Sequence, residues 1–166
     1  MMTVYHELDP DMKLPLVPIV QNCAVPPMMP VRRAYEFGKA LGDAIRSYSG
    51  LQRVALVAAG GISHWVGTPR VGDIDEEFDR WFLDVLESGD LDQVLDMPDS
   101  EIEIAGNGTH EIRSWVAIAG AMQPARAKKL AYEPIYLGSR AWVWPDGAPR
   151  HRRHRYDQQH PDPGPR

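Results

Sequence analysis

A single cysteine, Cys23, in 166 residues excludes an intrachain disulfide and any metal cluster built on thiolates. With no histidine near it in sequence, it reads as a small buried hydrophobe beside the Asn22 turn. Nor is there an apolar run approaching the roughly 20 residues that a membrane span requires, or a basic-then-apolar leader at the start. Cytoplasm is therefore the default compartment. Positive charge is scarce over most of the chain. The net charge is −5, but residues 147–166 hold five arginines against two acids, so residues 1–146 carry 13 basic and 21 acidic groups, a balance of −8. A body of that sign repels nucleic acid. The chain also lacks any internal repeat, which excludes solenoid architectures.

What is present suits one folded unit. A hydrophobic content of 43% over this length is enough for a single core, and strand-like and helix-like patterns alternate, as in the α/β class. Residues 16–21 read as a strand that Pro15 and Pro18 confine to an edge or a bulge. Val31, Ala34, Tyr35, Leu41, Ala44, Ile45 and Tyr48 mark one face of a helix closed by Gly50. Residues 54–59 form a continuous apolar run, the pattern of a strand covered on both faces. Phe78, Trp81, Phe82, Val85 and Leu86 recur at i, i+3, i+4, i+7 and i+8, which predicts a helix capped near Asp75 and ended by Gly89. That aromatic stripe belongs to a core, not to a cofactor box. Residues 90–96 suggest a short helix and 98–103 a connector. Residues 147–166, rich in Arg, His and Pro, have almost nothing apolar to bury and are expected to be disordered. No spacing among them fixes the geometry of a metal- or nucleic-acid-binding arm.

Chemistry concentrates at two places. In Gly60-Gly61-Ile62-Ser63-His64-Trp65, two glycines let the chain turn sharply out of the apolar run and carry a titratable ring to the carboxyl end of a strand, where open α/β sheets build their sites. The plainer alternative is a tight turn whose histidine only hydrogen-bonds a carbonyl. In Asn107-Gly108-Thr109-His110-Glu111-Ile112-Arg113-Ser114-Trp115, Thr109 reads as an N-cap, and Glu111 falls in line with Trp115, Ile118 and Met122 on the buried arc of a helix. A buried carboxylate without a partner costs several kcal/mol, so Glu111 is expected to meet a cation, hold a metal or be protonated. Alternatively it is a first-turn glutamate favoured by the helix dipole or paired with an arginine.

Together these segments resemble the class III extradiol ring-cleavage dioxygenases, the family of protocatechuate 4,5-dioxygenase catalytic subunits. The resemblance also rests on Pro18-Ile19-Val20-Gln21-Asn22 with Pro26-Pro27, on Leu41-Gly42-Asp43-Ala44-Ile45, on Phe78-Asp79-Arg80-Trp81-Phe82 and on Gly120-Ala121-Met122. These runs stand in the family's order over residues 1 to about 136. The resemblance implies a mixed-sheet α/β sandwich, present only in its carboxyl-terminal portion across residues 1–146. It implies oxidative opening of a catecholic ring by non-haem Fe(II) and O2, with His64 as acid/base and Glu111 as the carboxylate of a 2-His-1-carboxylate iron site. Ser63 and the Gly61 amide would orient the ring or the substrate, and Trp65, with Arg70, would line the pocket.

One departure matters as much. The family's two histidine ligands precede everything that matches here, so the chain is expected to begin after them. His6, His110, His151, His154 and His160 do not fall where the family has ligands. A facial triad needs three ligands converging on one metal. The expectation is therefore a chain inactive alone, with an incomplete Fe(II) site. It would associate through the apolar runs 16–20 and 54–59, either as a homo-oligomer or with a partner chain supplying the missing half. A non-catalytic, partner-binding scaffold of the same fold is the alternative. A hydrolase built on His110-Glu111 lacks the second histidine one helical turn later that a zinc peptidase requires.

Overall fold

The computed structural model describes residues 6–7, 9–50, 53–135 and 140–145, the last stretch by its backbone path. Helix α1 spans Val31–Ser47, α2 Glu76–Ser88, α3 Asp92–Leu95, α4 Asp99–Ile102 and α5 Ile112–Ala121. Strands β1, Ala127–Glu133, and β2, Arg140–Pro145, pair antiparallel with an irregularity between Lys129 and Ala131.

Helix α2 forms as its pattern predicts. The Asp75 carboxylate accepts the Phe78 N–H at 2.9 Å, three acids occupy the first turn where the helix dipole favours them, and Gly89 closes the end at φ 76°. Its apolar stripe is the centre of the molecule. Phe82, Leu83, Val85 and Leu86 are buried with Val94 and Leu95 of α3, Ile102 of α4, and Ile112 and Val116 of α5. Phe82 stacks on Phe78 and meets the Trp115 ring edge-on at 6.4 Å.

Helix α1 begins directly after Pro30, whose ring suits a helix start, and it ends at Ser47 before reaching Gly50. It lies against α5 with no side chain between the backbones at three points. A Cβ added at Gly38 or Gly42 would strike the main chain of Ala117 or Ala121, and one at Gly120 would strike Tyr35. Arg46 donates at 2.9 Å to the Ala121 carbonyl, capping the carboxyl end of α5.

Two expected strands are not there. Residues 16–21 and 54–59 join no ladder among the described residues, whose one sheet is the β1–β2 ribbon. Val17 is 82% exposed, Val20 91% and Val57 49%, so the apolar run 54–59 is not covered on both faces. A strand is completed by hydrogen bonds to another segment, and none of the described segments supplies them. The connector at 98–103 contains α4, and the ribbon at 127–145 was not anticipated. The expected tail at 147–166 lies outside the described residues.

Candidate functional site

The two chemical segments meet at one turn. The Glu111 carboxylate accepts the main-chain N–H of Gly61 through Oε2 at 2.6 Å, and the Trp115 indole donates to the Gly60 carbonyl at 3.2 Å. A Cβ at Gly60 would lie 3.0 Å from the Glu111 Cβ, and one at Gly61 would lie 2.9 Å from His64 Nδ1. Glycine at both positions is what lets the two side chains close on the same backbone. Glu111 reaches this turn from a 3-10 turn, Thr109–Glu111, just ahead of α5, and it is half-buried rather than set in the buried arc.

The His64 loop is stapled to the loop preceding α5. Gly108 N–H donates to the His64 carbonyl at 3.1 Å, while the Asn107 side chain accepts from Val66 N–H at 2.8 Å and donates to Val66 carbonyl at 2.9 Å. The imidazole lies between Gly61 and Gly108, where any side chain on Gly108 would collide with the ring. His64 Nδ1 lies 3.1 Å from the Ile62 carbonyl oxygen. A carbonyl can only accept, so Nδ1 carries a proton, and in the neutral ring the lone pair falls on Nε2.

Ser63 is fully buried, and its hydroxyl is satisfied on both sides by the Asp75 main chain, accepting from N–H at 2.9 Å and donating to the carbonyl at 3.2 Å. That commits the side chain to the turn and leaves it without exposed surface. The Gly61 amide is likewise committed, to Glu111. Trp65 carries the Arg70 guanidinium 4.0 Å above its ring, and Arg70 pairs with Asp73 at 2.9 Å. With Asp75, Ile104 and their neighbours these residues line a polar hollow of about 230 Å³. A larger hollow of about 440 Å³ lies at Trp81, Asp84 and Gln93. Neither is lined by His64 or Glu111.

Arg113 does not pair with Glu111. Fully buried, it donates to the Met29 carbonyl at 2.6 Å, to His110 Nδ1 at 2.8 Å and to Asp99 at 2.5 Å. Burial pushes the His110 imidazole below its ordinary value, and the guanidinium beside it adds to that. Thr109 is not the expected N-cap; its hydroxyl is buried with no partner among the described residues. Cys23 is half-buried near Arg113, Glu111 and the Ser114 hydroxyl, and burial raises its thiol. Its place beside Glu111 was not readable from the sequence.

The fully buried Asp79 also braces this turn and was not singled out from the sequence. It accepts the Ser63 N–H through Oδ1 and the Tyr132 hydroxyl through Oδ2, both at 2.8 Å. The signal was available: Asp79 shares a helix face with Phe82, Leu83 and Leu86, an acid on a core stripe.

Among the described residues no group of three or more His, Cys, Asp or Glu side chains could hold a metal ion. Glu111 alone does not fit ferrous iron, which three ligands of a facial triad hold.

Comparison with known proteins gives a consistent result. Residues 1–139 match the family described as the catalytic LigB subunit of aromatic ring-opening dioxygenase. A 2,3-dihydroxyphenylpropionate/2,3-dihydroxicinnamic acid 1,2-dioxygenase of Paraburkholderia xenovorans is 32% identical, over 82% of this chain and 56% of its own length. The enzyme of the same name from a Rhodococcus species is 30% identical, over 78% and 54%. A gallate dioxygenase of Pseudomonas putida is 32% identical, over 87% and 45%. The chain thus spans about half the length of the curated relatives it matches.

Proposed function

The chain belongs to the family of LigB-type catalytic subunits of aromatic ring-opening dioxygenases, and on that premise we propose that it carries the acid/base part of an extradiol ring-cleavage site. His64 is the acid/base, and Glu111 is one ligand toward a ferrous ion whose other ligands come from polypeptide beyond the described residues. Substrates are catecholic aromatic compounds and O2, in keeping with the dihydroxyphenyl and gallate compounds that the relatives' names specify. What supports this reading is that the His64 ring and the Glu111 carboxylate, the latter from 50 positions away, close on one residue, Gly61.

The chemistry assigned to this chain's own residues is proton transfer. With Nδ1–H committed to the Ile62 carbonyl, the Nε2 lone pair takes a proton from a catechol hydroxyl and later returns one. An imidazole, able both to take up and to release a proton, suits that task. Trp65 and Arg70 form the neighbouring wall; Gly61 and Ser63 hold the turn rather than the substrate.

A specific observation favours a second reading. Among the described residues no group of three metal-ligating side chains forms, and the apolar runs at 16–20 and 54–57 lie open, which also fits a partner-binding scaffold without chemistry. In the proposed assembly those runs become strands of the mixed-sheet sandwich once a partner chain or second copy pairs with them.

Reconstitution decides between the two. The chain is combined anaerobically with the part of a relative that it does not match and with Fe(II), and then given O2 and 2,3-dihydroxyphenylpropionate or gallate. A yellow ring-fission product is expected from the combination, none from the chain alone, and little from His64→Gln. No product from the combination, or product undiminished in His64→Gln, overturns the acid/base reading and leaves the scaffold.

A further inference from the structure

We propose that Asp79 acts on His64 through a single peptide group, as a positioning residue that holds the ring's tautomer and strengthens its free nitrogen. The Ser63 N–H that Asp79 binds and the Ile62 carbonyl that His64 binds are the two ends of one peptide plane. The Tyr132 hydroxyl, the Asp79 carboxylate, the Ile62–Ser63 peptide and the His64 ring therefore form one continuous chain of hydrogen bonds.

The physics is that of a conjugated group between two partners. A peptide shares its electrons across N, C and O. Drawing its N–H toward an anion moves negative charge onto its carbonyl oxygen, which becomes a better acceptor for Nδ1–H. Hydrogen bonds in such a chain reinforce one another, by an order of about 10–30% per bond. Both Asp79 oxygens act as acceptors, and in a fully buried site their pull on the Ser63 N–H is weakly screened. The ring thereby keeps its proton on Nδ1 and presents a more electron-rich Nε2. The arrangement does for a loop histidine, at one remove, what a carboxylate in direct contact does for the histidine of a hydrolytic triad.

The inference rests on the acid/base reading only for the use made of that nitrogen, so it is tested on the intact chain without substrate. Diethyl pyrocarbonate acylates a free imidazole nitrogen, and mass spectrometry reads the rate at each histidine, with exposed His6 as the internal reference. Asp79→Asn keeps an oxygen for Ser63 N–H but removes the charge. It is expected to slow acylation of His64 several-fold relative to His6. Tyr132→Phe, which keeps the carboxylate, slows it by a smaller factor and carries the test if Asp79→Asn does not fold by circular dichroism. A residue that merely braced the loop has the opposite signature, since loosening uncovers the half-buried ring and speeds its labelling. Rates unchanged or faster in both variants overturn the proposal. Undiminished ring cleavage by His64→Gln in the reconstituted system removes the acid/base role and leaves the labelling result standing.

Discussion

Gly108 is the residue on which the His64 ring is seated, and it has no room for even a methyl group, since an added Cβ would collide with the imidazole. Gly108→Ala is expected to displace the ring and abolish ring cleavage in the reconstituted system. Overpacking of this kind costs roughly 1–3 kcal/mol, visible as a lowered Tm. An unaltered rate would place the proton transfer elsewhere. His110, 4% exposed, gives a prediction of pH dependence. Its folded value lies below the ordinary imidazole value near 6.5, so the folded chain binds fewer protons than the unfolded one. The stability this group contributes is fully present above about pH 6.5 and is lost as pH falls below that toward the folded value, at up to about 1.4 kcal/mol per unit. Urea unfolding from pH 7.5 down to 5 should therefore fall more steeply in the native chain than in His110→Gln. Parallel curves would rule out His110 as the origin.

At the scale of elements, the contact that sets where Glu111 projects is α1 against α5. Gly38 and Gly42 present a flat backbone strip one turn long, and Gly120 does the same from the other side. A Cβ at Gly38 would overlap the Ala117 carbonyl. Gly38→Ala gains helix propensity, worth about 1 kcal/mol in an open helix, yet the separation of two helix axes costs more than that. The net expectation is destabilisation of about 1–2 kcal/mol, measured as a drop in Tm with the helical circular dichroism retained. A rise in Tm would mean that the two helices are not in contact at that point.

At the scale of the whole molecule, the chain leaves large apolar side chains open on its surface. Val17, Val20, Val54 and Val57 are exposed on segments without ladder partners among the described residues. Such segments drive association. Light scattering should show dimers or larger species that dissociate in a Val17→Asp/Val20→Asp double variant with little change in Tm. A native chain that stays a monodisperse monomer would contradict this. Val57→Asp, expected to unfold the chain if residues 54–59 were a covered strand, is instead expected to be tolerated, because Val57 is half exposed.

Helix α2 was legible from its residues because a helix closes its hydrogen bonds within four positions, and its caps, Asp75 and Gly89, are neighbours of what they cap. The paired glycines before His64 and the acid at the head of α5 were legible for a similar reason: each is a local departure from an apolar pattern. Strands at 16–21 and 54–59 were misread because a strand is completed by a segment elsewhere in the chain, and apolar composition alone does not provide one. The same holds for buried polar groups. That Glu111 meets the Gly61 amide rather than Arg113, that Arg113 spends its donors on Asp99, His110 and Met29, and that Asp79 reaches the peptide beside His64 are contacts between residues up to 84 positions apart. Only packing chooses among such partners, since many residues in the chain could satisfy the same donor or acceptor and the folded core brings one of them within reach.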